Sequence, residues 1–209
     1  MRKLLPCGFT LACLVAITAV AFAAPPPKSG TPPTFGGNAV FCNGPYALCI
    51  TAYCPTPNGP PQKGQYINCE CDIVNGWSMG PDTCSDRASK LVSTYSNLYN
   101  PGHETVSCKS ASTLWAWCYG ATCKPDSKNP TKKAICSCPV EQEPAVILVP
   151  ERGCNTAACN KVWSAATPKE SAFANDYFFK VGTAKGYNPN PPAQACSATA
   201  SKGGAGGER

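Results

Sequence analysis

Cys118-Tyr119-Gly120-Ala121-Thr122-Cys123, followed across a polar loop by Ala134-Ile135-Cys136-Ser137-Cys138-Pro139-Val140, is the stretch whose reading decides the fold. An earlier stretch has the same grammar: Cys49-Ile50-Thr51-Ala52-Tyr53-Cys54, a loop, then Ile67-Asn68-Cys69-Glu70-Cys71-Asp72-Ile73. Cys49 and Cys54 precede Cys118 and Cys123 by 69 positions, and Cys69 and Cys71 precede Cys136 and Cys138 by 67. Successive side chains of a strand point to opposite faces, so each C-x-C puts both sulfurs on one side. Ile67, Cys69, Cys71 and Ile73 share one face of their strand, and Ala134, Cys136, Cys138 and Val140 likewise share one face of theirs. Two sulfurs placed this way suit bridges to two other cysteines and pair poorly with each other.

The match runs beyond these cysteines. Lys90-Leu91-Val92-Ser93 follows Cys84 much as Lys161-Val162-Trp163-Ser164 follows Cys159, and Tyr99-Asn100-Pro101 precedes Cys108 as Tyr187-Asn188-Pro189 precedes Cys196. The pattern predicts a mainly β, small disulfide-rich architecture of two tandem repeated modules, with long loops and little helix. The modules span 42–108 and 109–196, after a Pro/Gly-rich linker at 24–41 and before a disordered tail at 197–209. Matching the copies leaves three bridges within each and leaves Cys42 and Cys154 over, which predicts a bridge between the copies. Spacing does not choose among the pairings inside a copy. Asn75-Gly76 predicts a hairpin turn after the first C-x-C strand, and Glu141 to Pro144 a turn with Ala145–Val149 as the return strand. From Ala88 to Tyr99, with Ser85 as a candidate helix cap, the spacing reads as a short strand or a turn of helix.

Residues 1–23 read as a secretory signal: Arg2 and Lys3, an apolar run from Leu11, and Ala21-Phe22-Ala23 before a cleavage point at Ala24. The run falls short of the ~20 apolar residues that span a bilayer, so no stable membrane insertion is expected after cleavage, and the expected location is secreted or periplasmic. Cleavage removes Cys7 and Cys13 from the 16 cysteines and leaves an even set: Cys42, Cys49, Cys54, Cys69, Cys71, Cys84, Cys108, Cys118, Cys123, Cys136, Cys138, Cys154, Cys159 and Cys196. Export and even parity together read as a disulfide framework. The spacing resembles that of cysteine-rich exported bacterial proteins, a resemblance that implies no activity. With 22 Pro and 18 Gly the chain has little with which to build a large apolar core, and crosslinks worth ~2–4 kcal/mol each would compensate. Losing Arg2 and Lys3 reduces the net charge from +6 to +4, too weakly basic to argue for nucleic acid.

Candidate chemistry is sparse. A redox C-x-C needs a lowered thiol pKa, whereas both pairs sit in strand patterns and Glu70 flanks one of them. Cysteines spaced by four and by one residue, with one histidine in the chain, do not match the usual zinc sets. No metal and no cofactor are therefore expected. His103 would have to serve in any histidine-based hydrolase, yet it follows a Pro-Gly turn, and G-x-S-x-G and H-E-x-x-H are absent. No catalytic residue is assigned.

Binding candidates are clearer. Trp115, Trp117 and Tyr119 are two apart and share a face in a strand, either as a stripe that grips a partner or as a cover over the bridges. Tyr177-Phe178-Phe179 has the same two readings. Pro55 to Pro61 and Lys124 to Lys133 are proline-stiffened loops held between cysteines, and Lys128, Lys132 and Lys133 in the second favour an anionic partner. The expected role is non-catalytic binding of an extracellular protein or glycan. The rivals are an enzyme, either a C-x-C thiol oxidoreductase or a His103 hydrolase, and a secreted inhibitor or toxin acting through a stiff loop.

Overall fold

The computed structural model describes residues 39–97, 103–149, 156–191 and 193–196. The leader, Tyr99-Asn100-Pro101, Cys154 and the tail lie outside them. The elements in chain order are β1 (Val40–Leu48), β2 (Tyr66–Gly80), α1 (Cys84–Ala88), β3 (Glu104–Cys108), β4 (Leu114–Ala116), β5 (Cys123–Pro125), β6 (Lys133–Gln142), β7 (Ala145–Val149), a 3-10 turn (Thr156–Asn160), β8 (Ala165–Ala166), α2 (Pro168–Ala184) and β9 (Gln194–Ala195). The protein is mainly β. One sheet runs β1-β2-β6-β4 with β5 also on β6, and the other runs β8-β7-β3-β9. Neighbouring strands are antiparallel, apart from the parallel β3–β9 pair.

The two C-x-C strands are β2 and β6, and they pair with each other, with Cys69 directly opposite Cys136. Their alternation is realised as read: Cys69, Cys71, Ala134, Cys136, Cys138 and Val140 are buried, while Glu70 between the first two sulfurs is exposed. The bridges are nested. Cys49 joins Cys71 and Cys54 joins Cys69; likewise Cys118 joins Cys138 and Cys123 joins Cys136. These bridges stack, with the sulfurs of Cys49 and Cys136 3.5 Å apart, and they supply much of the core that leucine and isoleucine supply elsewhere.

Two expected pairings are corrected. Cys42 is bridged to Cys84 within its own half and not to Cys154, because β1 brings it within 5.6 Å (Cα–Cα) of the first residue of α1. Cys108 does not close a bridge in the first copy: it joins Cys159, again linking a strand to the helical turn that follows. Cys196 is disulfide-bonded as well.

The turn expectations also change. β2 runs straight through Asn75-Gly76 to Gly80. Gly76 sits opposite Gly44 in the β1 ladder, with φ of 154° and 157°, angles that residues with a side chain rarely adopt, so the glycines let the ladder run on where a hairpin was expected. Of the turn expected over Glu141 to Pro144, Glu141 and Gln142 belong to β6 and only Glu143-Pro144 separate it from β7, which pairs with β3 and β8 and does not return along β6. Pro144 has no N–H to continue the ladder, and the chain passes there into the second sheet.

Residues 84–97 resolve into α1, capped by Thr83 and not Ser85, followed by isolated bridges at Val92, Ser93 and Tyr95. The 17-residue α2 was not expected. It packs Ala174 and Phe178 against Phe41 and Met79.

Some backbone contacts recur in residues 39–97 and 103–196. Ala47 N–H donates to Val92 O (3.0 Å) and Ala116 N–H to Trp163 O (2.8 Å). Met79 pairs with Tyr95 as Val146 pairs with Ala166. Other bonds cross between the halves: Cys54 N–H donates to Val162 O and Ser164 N–H to Ala52 O, while Cys123 N–H donates to Leu91 O and Ser93 N–H to Ala121 O. Each half therefore completes a backbone edge of the other.

Candidate functional site

Trp115, Trp117 and Tyr119 do share a face, with Trp115 and Trp117 edge-to-face at 5.7 Å and Trp117 and Tyr119 tilted at 5.9 Å. That face is turned inward: the three residues are 1%, 4% and 8% exposed. β4 lies on β6 in the Leu114↔Gln142 register, which carries the ladder into the interior beside Ala145. Burial raises the Tyr119 hydroxyl pKa, with Arg87 offsetting part of the rise. Phe178 is fully buried, and Tyr177 donates its hydroxyl to Ala39 O at 2.9 Å.

The exposed large aromatic among the described residues is Tyr53, at 44%. It leans on Trp163 at 5.3 Å with Lys161 over its ring at 5.9 Å.

Both loops singled out in the sequence are closed at the base by one disulfide each: Cys54–Cys69 beneath the first, Cys123–Cys136 beneath the second. Between these bridges the chain is largely exposed, with Pro57 to Pro60 at the first tip and Ser127 to Lys132 at the second. The tips are internally ordered. Gly59 N–H donates to Thr56 O, and the Asp126 carboxylate accepts from the N–H groups of Lys128 and Asn129 at 3.2 and 3.1 Å. Lys128 and Lys132 are exposed. Lys133 instead points back to the sheet, 2.8 Å from Asp72 and 3.4 Å from Glu70. The Asp72 hydrogen bond is the main reason its pKa is raised.

A partly open cavity of about 90 Å³ lies where the two sheets and α2 meet, walled by Ser93, Tyr95, Trp117, Tyr119, Ser164 and Asn175 among others. Its wall is set firmly. Tyr95 donates its hydroxyl to Asn175 Oδ1 at 2.7 Å, and Asn175 Nδ2 donates to Ser171 O at 3.0 Å. No lining residue is an acid, lysine, arginine or histidine. Thr94, also in the wall, keeps its hydroxyl buried without a hydrogen-bond partner.

No family model, curated protein or solved structure matches this chain. What the site can do is therefore argued from its own chemistry. The C-x-C sulfurs are 0–1% exposed and bonded, so a substrate thiolate has no path to them, and thiol exchange needs such access. The triplets Cys49/Cys123/Cys136 and Cys69/Cys118/Cys138 come within 4.8 Å of one another because disulfides stack. Bonded sulfur lacks the thiolate charge that makes cysteine a metal ligand. His103 is half-buried just before β3 and is not in the cavity wall.

Spacing in the sequence marks Trp117 and Tyr119 but neither the remaining wall residues nor Tyr53, which lies outside the wall. The signal for the wall lies just past Ser93 and Ser164, where Thr94-Tyr95 stands against Ala165-Ala166.

Proposed function

We propose that this is an exported, non-catalytic binding module, built as two tandem copies of one disulfide-stapled unit, that holds a protein or glycan partner outside the cytoplasm. The observation that carries the reading is the closure of both exposed loops by Cys54–Cys69 and Cys123–Cys136. Ordering a flexible loop on binding costs ~0.5–1.5 kcal/mol per immobilised side chain, and a loop ordered in advance avoids much of that cost. Lys128 and Lys132 at the second tip give it a preference for anionic groups. Six disulfides among the described residues fit an oxidising compartment. Among the described residues no helix is long and apolar enough to cross a membrane.

The experiment is affinity measurement on the full chain with sulfated and neutral polysaccharides and with extracellular protein fractions. The wild type is compared with variants whose loop tips are replaced by Gly-Ser of equal length. Binding that weakens on tip replacement and, for the second loop, on raising salt is the expected result. A partner held equally well after both tips are replaced would refute the loop assignment. The same closure also suits a secreted inhibitor. In that case limited proteolysis by the target enzyme stalls within a loop, and Gly-Ser replacement abolishes inhibition.

A further inference from the structure

We propose that the cavity between the sheets and α2 is a second binding site, for one neutral sugar ring. It shares no residue with the two loop tips, and it stands or falls separately from them.

The first argument is position. The wall contains Cys49 with Cys118, Ile50 with Tyr119, and Ser93 with Ser164. Each pair occupies corresponding places in the two halves, as the backbone bonds of Ser93 to Ala121 and of Ser164 to Ala52 show. The cavity thus lies across the approximate twofold that relates the halves, beside the most heavily crosslinked part of the molecule. The next corresponding pairs are Thr94 with Ala165 and Tyr95 with Ala166. At these places one half carries large side chains and the other carries two alanines. Tyr95 and Ala166 hold the same ladder position, opposite Met79 and Val146 respectively. A space is open where a second tyrosine would fill it.

The second argument is chemistry. Tyr95, Trp117 and Tyr119 bring ring surface, while Ser93, Thr94, Ser164 and Asn175 bring hydroxyl and amide groups. With no charged side chain in the wall, an ionic ligand would lose its hydration without a counter-charge. A purely apolar ligand would leave the hydroxyl and amide groups of the wall unserved. A neutral molecule with a C–H face for the rings and hydroxyls for the rest matches both halves of the lining. The volume, about 90 Å³, exceeds the ~10–15 Å³ that one water needs several times over. The open side lets a ring enter with its substituents directed outward.

The test is a titration of the full chain with a panel of neutral methyl glycosides, read by tryptophan emission and by amide chemical shifts. Glucuronate and cyclohexanol serve as charged and apolar controls. The expected result is saturable binding of at least one glycoside, with shifts centred on Ser93, Ser164 and Ala166, and no comparable effect of either control. Ala166→Phe, which fills the space, is expected to weaken the binding by roughly tenfold or more while leaving the melting temperature unchanged or raised. No saturable glycoside, shifts centred elsewhere, preference for cyclohexanol or glucuronate, or binding retained by a folded Ala166→Phe would each overturn the proposal. Should that variant fail to fold, the shift map of the wild type decides alone.

Discussion

Arg87 ties two strand ends from inside the protein. Its guanidinium donates to Val40 O at 2.6 Å and to the carbonyl and hydroxyl oxygens of Ser78 at 3.4 and 3.2 Å, while the residue is 7% exposed. Burial lowers its pKa, with Tyr119 and Asp82 offsetting part of the effect. Arg87→Met keeps the aliphatic stem and strands those oxygens, and the expected loss is ~2–4 kcal/mol, read as a lower denaturant midpoint at unchanged slope. Tyr46 is 1% exposed, and burial, partly offset by the Ser96 hydroxyl, pushes its pKa up to about 12. The unfolded chain gives up this proton near pH 10 while the folded chain retains it. Stability from this group is therefore complete below pH 10 and falls as the pH rises towards 12, by on the order of 2–3 kcal/mol. Tyr46→Phe should flatten that part of an alkaline stability curve. A slope unchanged in the variant would show that other groups carry it.

Helix α2 begins with a reciprocal cap: Glu170 N–H donates to the Thr167 hydroxyl at 3.2 Å, and Thr167 N–H donates to the Glu170 carboxylate at 3.1 Å. Pro168 fits the first turn, where its missing N–H costs nothing. Thr167→Ala is expected to cost ~1 kcal/mol and to speed amide exchange in the first turn of α2 more than in β2 or β6. The sequence carries the cap as Thr167-Pro168-Lys169-Glu170, a pattern in which the proline can open a helix as readily as end one. The C-x-C strands were legible because the alternation of Ile67, Cys69 and Cys71 against Asn68 and Glu70 leaves one register with the sulfurs inside. Asn75-Gly76 misled because its turn preference is local, while the ladder from Val40 to Leu48 is long enough to override it. The inward placement of Trp115 and Trp117 was open for a like reason: their spacing sets a shared face, and only the packing against Ala145, Ala165 and Ala166 says which way it looks. The cavity was illegible because it is made by small residues at places whose counterparts are large.

With β3 counted to the second half, so that Cys108–Cys159 closes within it, none of the six described bridges runs from residues 39–97 to residues 103–196, and the two halves are joined by backbone hydrogen bonds. The β2–β6 ladder from Tyr66↔Pro139 to Asp72↔Lys133 and the reciprocal bonds of Ala52, Cys54, Ala121 and Cys123 hold them. A protease site engineered within 98–102 should therefore yield two fragments that co-elute in native buffer and separate in denaturant without reductant. Fragments that part in native buffer would mean that the halves are two beads on a string.

Synthesis runs from the N-terminus, so β2 exists for a time before β6 has been made. During that interval its buried face has its own sulfurs to bond, yet its outer edge has no neighbour, and an unpaired edge recruits strands from other chains. Crowded nascent chains should consequently tangle through β2 of one and β6 of the next, giving head-to-tail exchange in which each molecule completes another. The fidelity of production would then depend on keeping newborn chains apart until the second C-x-C arrives.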